Sequence, residues 1–234
     1  MCGRAYATYS QTELYLNYLN RRAPRLAADA PPNYNLAPTQ LASVVLVRDN
    51  VLTIESFQWG LVPFWAKDVA SIKKYSLINA RGEDIAEKRS FKQAFHRRRC
   101  VVPLSGFFEW KREAAGARRP FAIHLKQDPI MSVAGVWERW ASPDSGDVIH
   151  SFAIVTTAAN AFMRTLHDRM PVILAKADIA AWLDPERQDT LELQALLAPC
   201  PSEWLTAFPV ATKVNSPRYN QPDVLLPAGP EVSL

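Results

Sequence analysis

Between Cys100 and Thr157 the chain passes through four apolar, strand-like runs, Cys100 to Trp110, Pro120 to Leu125, Ile130 to Trp140 and His150 to Thr157. Polar turns such as Ala114-Ala115-Gly116 and Pro143-Asp144-Ser145-Gly146 separate them. Connections this short join antiparallel neighbours. Upstream, Leu41 to Arg48 and Val51 to Trp59 bracket Asp49-Asn50, the pattern of a hairpin with a two-residue turn. There is no internal repeat and no low-complexity linker. The expectation is therefore one α+β domain over residues 1–220, with a strongly curved, barrel-like, mainly antiparallel sheet flanked by short helices and followed by a tail over 221–234.

The remaining segments are shorter. Gln11 to Asn20 carries Leu14, Tyr15, Tyr18 and Leu19 at helical spacing and is closed by Arg21 to Pro24, which predicts a short amphipathic helix with a loop after it. Gly60 to Ala80 fits neither periodicity and is expected to be irregular, and Glu83 to Phe95 returns to helical character. Asn160 to Leu166, Ala177 to Leu183 and Thr190 to Leu197 are predicted helices; Pro171 to Leu174 and Trp204 to Val214 are predicted strands. The tail from Pro217 is expected to lie on the surface or fray.

A composition of 48% hydrophobic and 21% charged residues over 234 positions excludes a disordered or collagen-like chain. Cys2, Cys100 and Cys200 are too few and too scattered for a disulfide framework or a zinc site, which points to a reducing, cytoplasmic setting with no metal and no organic cofactor. No apolar stretch reaches the roughly 20 residues of a membrane span, and no secretory signal follows Met1. The net charge of +4 is compatible with a nucleic-acid partner without establishing one. The basic residues cluster at Arg21, Arg22 and Arg25, at Lys73 and Lys74, at 97–99, and at Arg118 and Arg119; each cluster alone reads as a solvated loop or helix end, and together they suggest a polyanionic partner.

Cys2 is the residue with the most distinctive chemistry. Removal of Met1 leaves a thiol and a free α-amine on one residue, with intrinsic pKa values of about 8.5 and about 8. Such a 1,2-aminothiol condenses with an aldehyde to an imine, which the thiol closes to a thiazolidine; a cysteine at this position is also often inert. Asn35, in Tyr34-Asn35-Leu36-Ala37-Pro38-Thr39, is either a turn residue or a functional amide. Trp59 and Trp65 flank Gly60 and Pro63, so they serve as core packing or as a stacking platform for bases. Asn79-Ala80-Arg81-Gly82-Glu83 is either a helix N-terminus or a site with an amide, a guanidinium and a carboxylate. Strand alternation in Gly106-Phe107-Phe108-Glu109-Trp110 sets Glu109 opposite its aromatic neighbours, facing solvent or a pocket. His167 directly follows a short helix, whereas His96, His124 and His150 lack comparable surroundings.

Taken in order, Cys2-Gly3-Arg4, Tyr34-Asn35 to Pro38-Thr39, Trp59-Gly60-Leu61-Val62-Pro63, Asn79-Ala80-Arg81 with Glu83, Gly106 to Trp110 and His167-Asp168-Arg169-Met170-Pro171 resemble the SOS response-associated peptidase family from residue 2 to about residue 220. The pair Phe107-Phe108, where a tyrosine often precedes the glutamate, and the tail depart from the common pattern. The resemblance implies a monomeric protein that recognises abasic sites in single-stranded DNA and cross-links to them through Cys2 as a thiazolidine, with autocatalytic removal of Met1 as an associated peptidase activity. It further implies that Asn79 positions the reacting sugar, Glu109 handles the amine proton and His167 acts as acid and base on the sugar oxygen. Arg4, Arg81 and Arg169 are expected on flanking phosphates, and Asn35 and Trp65 along the DNA groove. Two other classes compete. N-terminal-nucleophile amidotransferases also begin Met-Cys-Gly but use an Asn-Gly element that this chain lacks. A non-catalytic DNA reader would bind without a covalent adduct.

Overall fold

The computed structural model describes residues 2–20, 31–72, 75–113 and 116–232. Five of its strands close into a barrel: β3 (Leu41–Arg48), β4 (Val51–Trp59), β6 (Arg99–Leu104), β9 (Met131–Ala141) and β10 (Val148–Ala158). Closure comes from β9, which pairs with β6 along one edge and with β10 along the other, in register from Val148↔Ala141 to Ile154↔Gly135. Within the ring only β10 and β4 run parallel. The far half of β10 receives β5 (Asn79–Arg81) and β11 (Arg169–Pro171) on its two edges. A second, antiparallel sheet runs β12 (Leu205–Pro209), β8 (Arg118–Leu125), β7 (Gly106–Arg112), β1 (Ala5–Ala7), β2 (Asn33–Leu36). Short helices α1 (Gln11–Leu19), α2 (Val69–Ile72), α3 (Lys92–Arg97), α4 (Ala161–Arg164), α5 (Ile179–Leu183) and α6 (Thr190–Ala195) surround the sheets. This is the expected α+β architecture, with the curvature taken to full closure. Among the described residues no helix is long and apolar enough to cross a membrane.

Alternation along the barrel strands divides the core in two. Val44 and Leu46, Phe57 and Trp59, Cys100 and Val102, Met131 and Val133, and Phe152 and Ile154 join one cluster, to which the second sheet adds Phe107, Phe121 and Ile123. The intervening residues Val45, Val101, Ala134 and Ala153 join another, packed with Phe95 of α3 and Trp182 of α5. The β3–β4 hairpin forms over the predicted residues because Asp49 and Asn50, at φ 50° and 61°, both tolerate the left-handed conformation of a two-residue turn. Helix α1 starts where Ser10 and Glu13 form a reciprocal capping box.

Several expectations are corrected. The run from Cys100 to Trp110 is two strands in different sheets: the chain breaks at Ser105, whose N–H donates to Tyr6 O at 2.9 Å. Asn79 opens a strand rather than a helix, and residues 82–87 are turns, so the helix expected from Glu83 is confined to Lys92–Arg97. The last strand stops at Pro209 and a 3₁₀ turn, Thr212–Asn215, follows. β1 and β2 were not expected at all. The tail lies on the surface, tied by bridges Val210↔Pro227 and Ala207↔Val232. The basic clusters at 21–25 and 73–74 and the turn residues Ala114 and Ala115 lie outside the described residues.

Candidate active site

Strand β1 brings the N-terminus between the two sheets. It pairs with β7 at Ala5↔Phe107 and Tyr6↔Gly106, and Phe108 N–H donates to Arg4 O at 2.9 Å. Carrying that register toward the N-terminus sets Gly3 level with Glu109. Gly106 makes the approach possible, because a Cβ there would lie 2.3 Å from both Ile123 O and Tyr6 Oη. Cys2 is fully buried within the larger core cluster. Burial pushes its thiol well above the usual range; the nearby Glu109 carboxylate raises it further, and a hydrogen bond from the Arg4 N–H opposes them.

Asn79, on β5 at the barrel edge, donates from Nδ2 to Cys2 O at 2.8 Å. Its Oδ1 is buried without a hydrogen-bond partner among the described residues. Glu109 is 4% exposed, so its strand turns it to a pocket and not to solvent. His167 stands between α4 and β11, at the end of a turn begun by Asn160, which caps α4 by accepting from Met163 N–H. Glu109 and His167 line the same cleft of about 620 Å³, with Trp110, Lys111, Arg112 and Arg118 along one wall and residues 165–168 along the other. The His167 Nδ1 lies 3.0 Å from Arg169 N–H and 2.8 Å from Asp168 Oδ1. A neutral ring accepts from Arg169, leaving the proton on Nε2; an imidazolium donates to Asp168 instead. The ring thus has a defined partner in either state. Cys2, Asn79, Glu109 and His167, spread over 165 residues of sequence, converge on the seam between barrel and second sheet.

The expected DNA contacts divide. Arg81 is exposed on β5, two residues from Asn79 and hence on its strand face, and makes no ion pair among the described residues. Arg169 forks onto Glu83, with Nη1 to Oε1 at 2.5 Å and Nη2 to Oε2 at 2.8 Å, and this contact holds the Glu83 carboxyl below its usual range. Trp65 does not line the cleft; the Arg89 guanidinium stacks 4.5 Å over its ring. Asn35 is fully buried: its Nδ2 contacts the carbonyls of Val214, Ser216 and Tyr219, and its Oδ1 accepts from Arg4 Nη1 at 2.9 Å. Arg4 is engaged in the same clamp through Val214 O at 2.6 Å, and desolvation lowers its pKa. Lys111 and Arg112 in the cleft wall were missed, since in sequence they are two ordinary charges at the end of a strand.

A family model described as SOS response associated peptidase (SRAP) matches residues 1–217. The chain is 35% identical over 225 residues to the Abasic site processing protein YoqW of Bacillus subtilis, covering 96% of this chain and 99% of that one. It is 32% identical to the Abasic site processing protein HMCES of Pongo abelii, covering 84% of this chain and 65% of the relative. An X-ray structure of a protein from Bacteroides thetaiotaomicron superimposes with a TM-score of 0.85 at 27% identity, over 97% of this chain and all of that one.

Proposed function

Because the chain belongs to the SOS response associated peptidase family, we propose that it processes abasic sites in DNA, and that it does so by cross-linking Cys2 to the lesion in single strands. The observation that carries this reading is the placement of residue 2: Asn79 holds its carbonyl at 2.8 Å, beside a buried carboxylate that acts on its thiol. While Met1 is attached, the nitrogen of Cys2 is an amide and cannot attack a carbonyl. Cleavage of the Met1–Cys2 bond, by this site or by an aminopeptidase, delivers an α-amine into the field of Glu109.

The chemistry then proceeds in balanced steps. The abasic sugar is a cyclic hemiacetal; His167 gives a proton to the ring oxygen and then takes the one the C1′ hydroxyl releases, which frees the aldehyde and restores the histidine. Asn79 Oδ1 accepts a hydrogen bond from a sugar hydroxyl and holds C1′ near residue 2. The amine, its proton taken by Glu109, adds to C1′, and loss of one water gives the imine. The thiol sulfur adds to the same carbon and its proton passes to the imine nitrogen, closing the thiazolidine. Arg81 supports the strand through phosphate, as does Arg169 once it exchanges Glu83 for a phosphate.

Intact-mass measurement with a single-stranded oligonucleotide carrying one abasic site tests this. The expected product is protein lacking Met1 plus DNA less one water, absent with undamaged DNA and with Cys2→Ala. A folded protein lacking Met1 that gives no adduct overturns the cross-linking step and favours a non-covalent reader.

A further inference from the structure

The outer end of the β7–β8 hairpin places Lys111 directly opposite Arg119 and Arg112 directly opposite Arg118. All four side chains are exposed, and none is in an ion pair among the described residues. Arg119 has a partner of another kind, donating to Ala228 O at 3.3 Å and lying over the Phe121 ring. Like charges directly opposite in an antiparallel pair repel, so two such rungs in succession do not help the hairpin form. They make sense if a polyanion relieves the repulsion. Lys111, Arg112 and Arg118 also form one wall of the cleft that holds Glu109 and His167. The only carboxylate on the opposite wall, Asp168, already faces His167.

From these observations we infer that the end of the β7–β8 hairpin is a second phosphate-binding arm, which grips the DNA strand where it leaves the cleft beside Glu109. Three residues of strand separate Glu109 from Arg112, about 10 Å at 3.4 Å per residue, which keeps the arm within reach of the phosphates that flank the lesion. Lys111 shares the strand face of Glu109 and the Arg112–Arg118 rung borders the same cleft at the end of the hairpin, so a single backbone leaving the cleft passes both. Because the contacts are to phosphate, the arm adds affinity and register without base preference. The inference rests on the proposed DNA substrate but does not depend on the covalent step.

The test uses a single-stranded oligonucleotide bearing a tetrahydrofuran abasic analogue, which has no aldehyde and cannot cross-link. Its Kd is measured by fluorescence anisotropy across a potassium chloride series for wild type, for Lys111→Gln, Arg112→Gln and Arg118→Gln singly and together, and for Arg97→Gln, an exposed cation on α3. Each arm substitution should lower the log Kd against log salt slope by about 0.7, the single-strand value per phosphate contact, and the triple variant by about 2. Arg97→Gln should not change it. An unchanged slope in the triple variant, with its circular dichroism and Tm intact, overturns the arm. Equal binding of a polyglutamate peptide by wild type, lost in the triple variant, also overturns it in favour of an acidic-protein site. The chemistry is read separately on a denaturing gel with a true abasic strand: reduced slopes without an adduct uphold the arm and reject the cross-link, whereas an adduct with unchanged slopes does the reverse.

Discussion

Asn79 gives one amide hydrogen to the Cys2 carbonyl and has a buried Oδ1 with no partner among the described residues, so in the proposed reaction one side chain sets both reactants. Glu109 and His167 share a cleft, and the proposed reaction has them serve different atoms, the amine and the sugar oxygen. Their loss should therefore be separable. Glu109→Gln is expected to slow adduct formation about 10- to 10⁴-fold, as is His167→Ala. An exogenous imidazole series should restore rate to His167→Ala alone; rescue of both, or of neither, would return the histidine to a structural role. Rates are read under single-turnover conditions, where product release does not intervene. Arg169 and Glu83 form a preorganised fork, which makes Arg169 available to a phosphate only by exchange.

At the level of elements, three features deliver those residues. Gly106 lets Tyr6 lie against β7 and so threads β1, with Cys2 ahead of it, between two strands of the second sheet. The break at Ser105 sends β6 into the barrel and β7 out of it, which puts Glu109 at the seam. The third, the Asp49-Asn50 turn, sets the register of the hairpin whose strand β4 ends at Trp59. Its two left-handed residues predict that Asn50→Val costs about 1–2 kcal/mol in urea unfolding, while Asn50→Gly is neutral or slightly stabilising. Equal stability of the valine variant would show that the turn does not hold this conformation in solution.

On the scale of the molecule, β5 and the turn before β11, both held against β10 of the barrel, supply Asn79 and His167, the second sheet positions Cys2 and Glu109, and the candidate site exists only where they meet. Arg4 and Asn35 tie this junction to the C-terminal segment across more than 170 residues of sequence. Asn35→Ala removes three donor contacts inside a buried region and should cost about 2–4 kcal/mol. The same change should open residues 210–232 to limited proteolysis before the barrel is cut. Uniform cleavage across the chain would contradict a local clamp.

Sequence by itself determined the sheet-rich α+β class, the β3–β4 hairpin to the residue and the start of α1, because each rests on a local rule: alternation, turn chemistry or helical spacing. It failed where the deciding interaction is long-range. Nothing local to Ser105 announces that the strand divides there, since Tyr6 is the residue that makes the break. Asn35 carries a functional-looking amide in a motif, and only the carbonyls of the 214–219 segment reveal it as a clamp. Arg112 and Arg118 become a pair only when β7 and β8 set them directly opposite each other. Side-chain chemistry is written in the chain order; which charges and amides face one another is decided by strand register and sheet closure, which bring distant residues into the range where hydrogen bonds and Coulomb repulsion act.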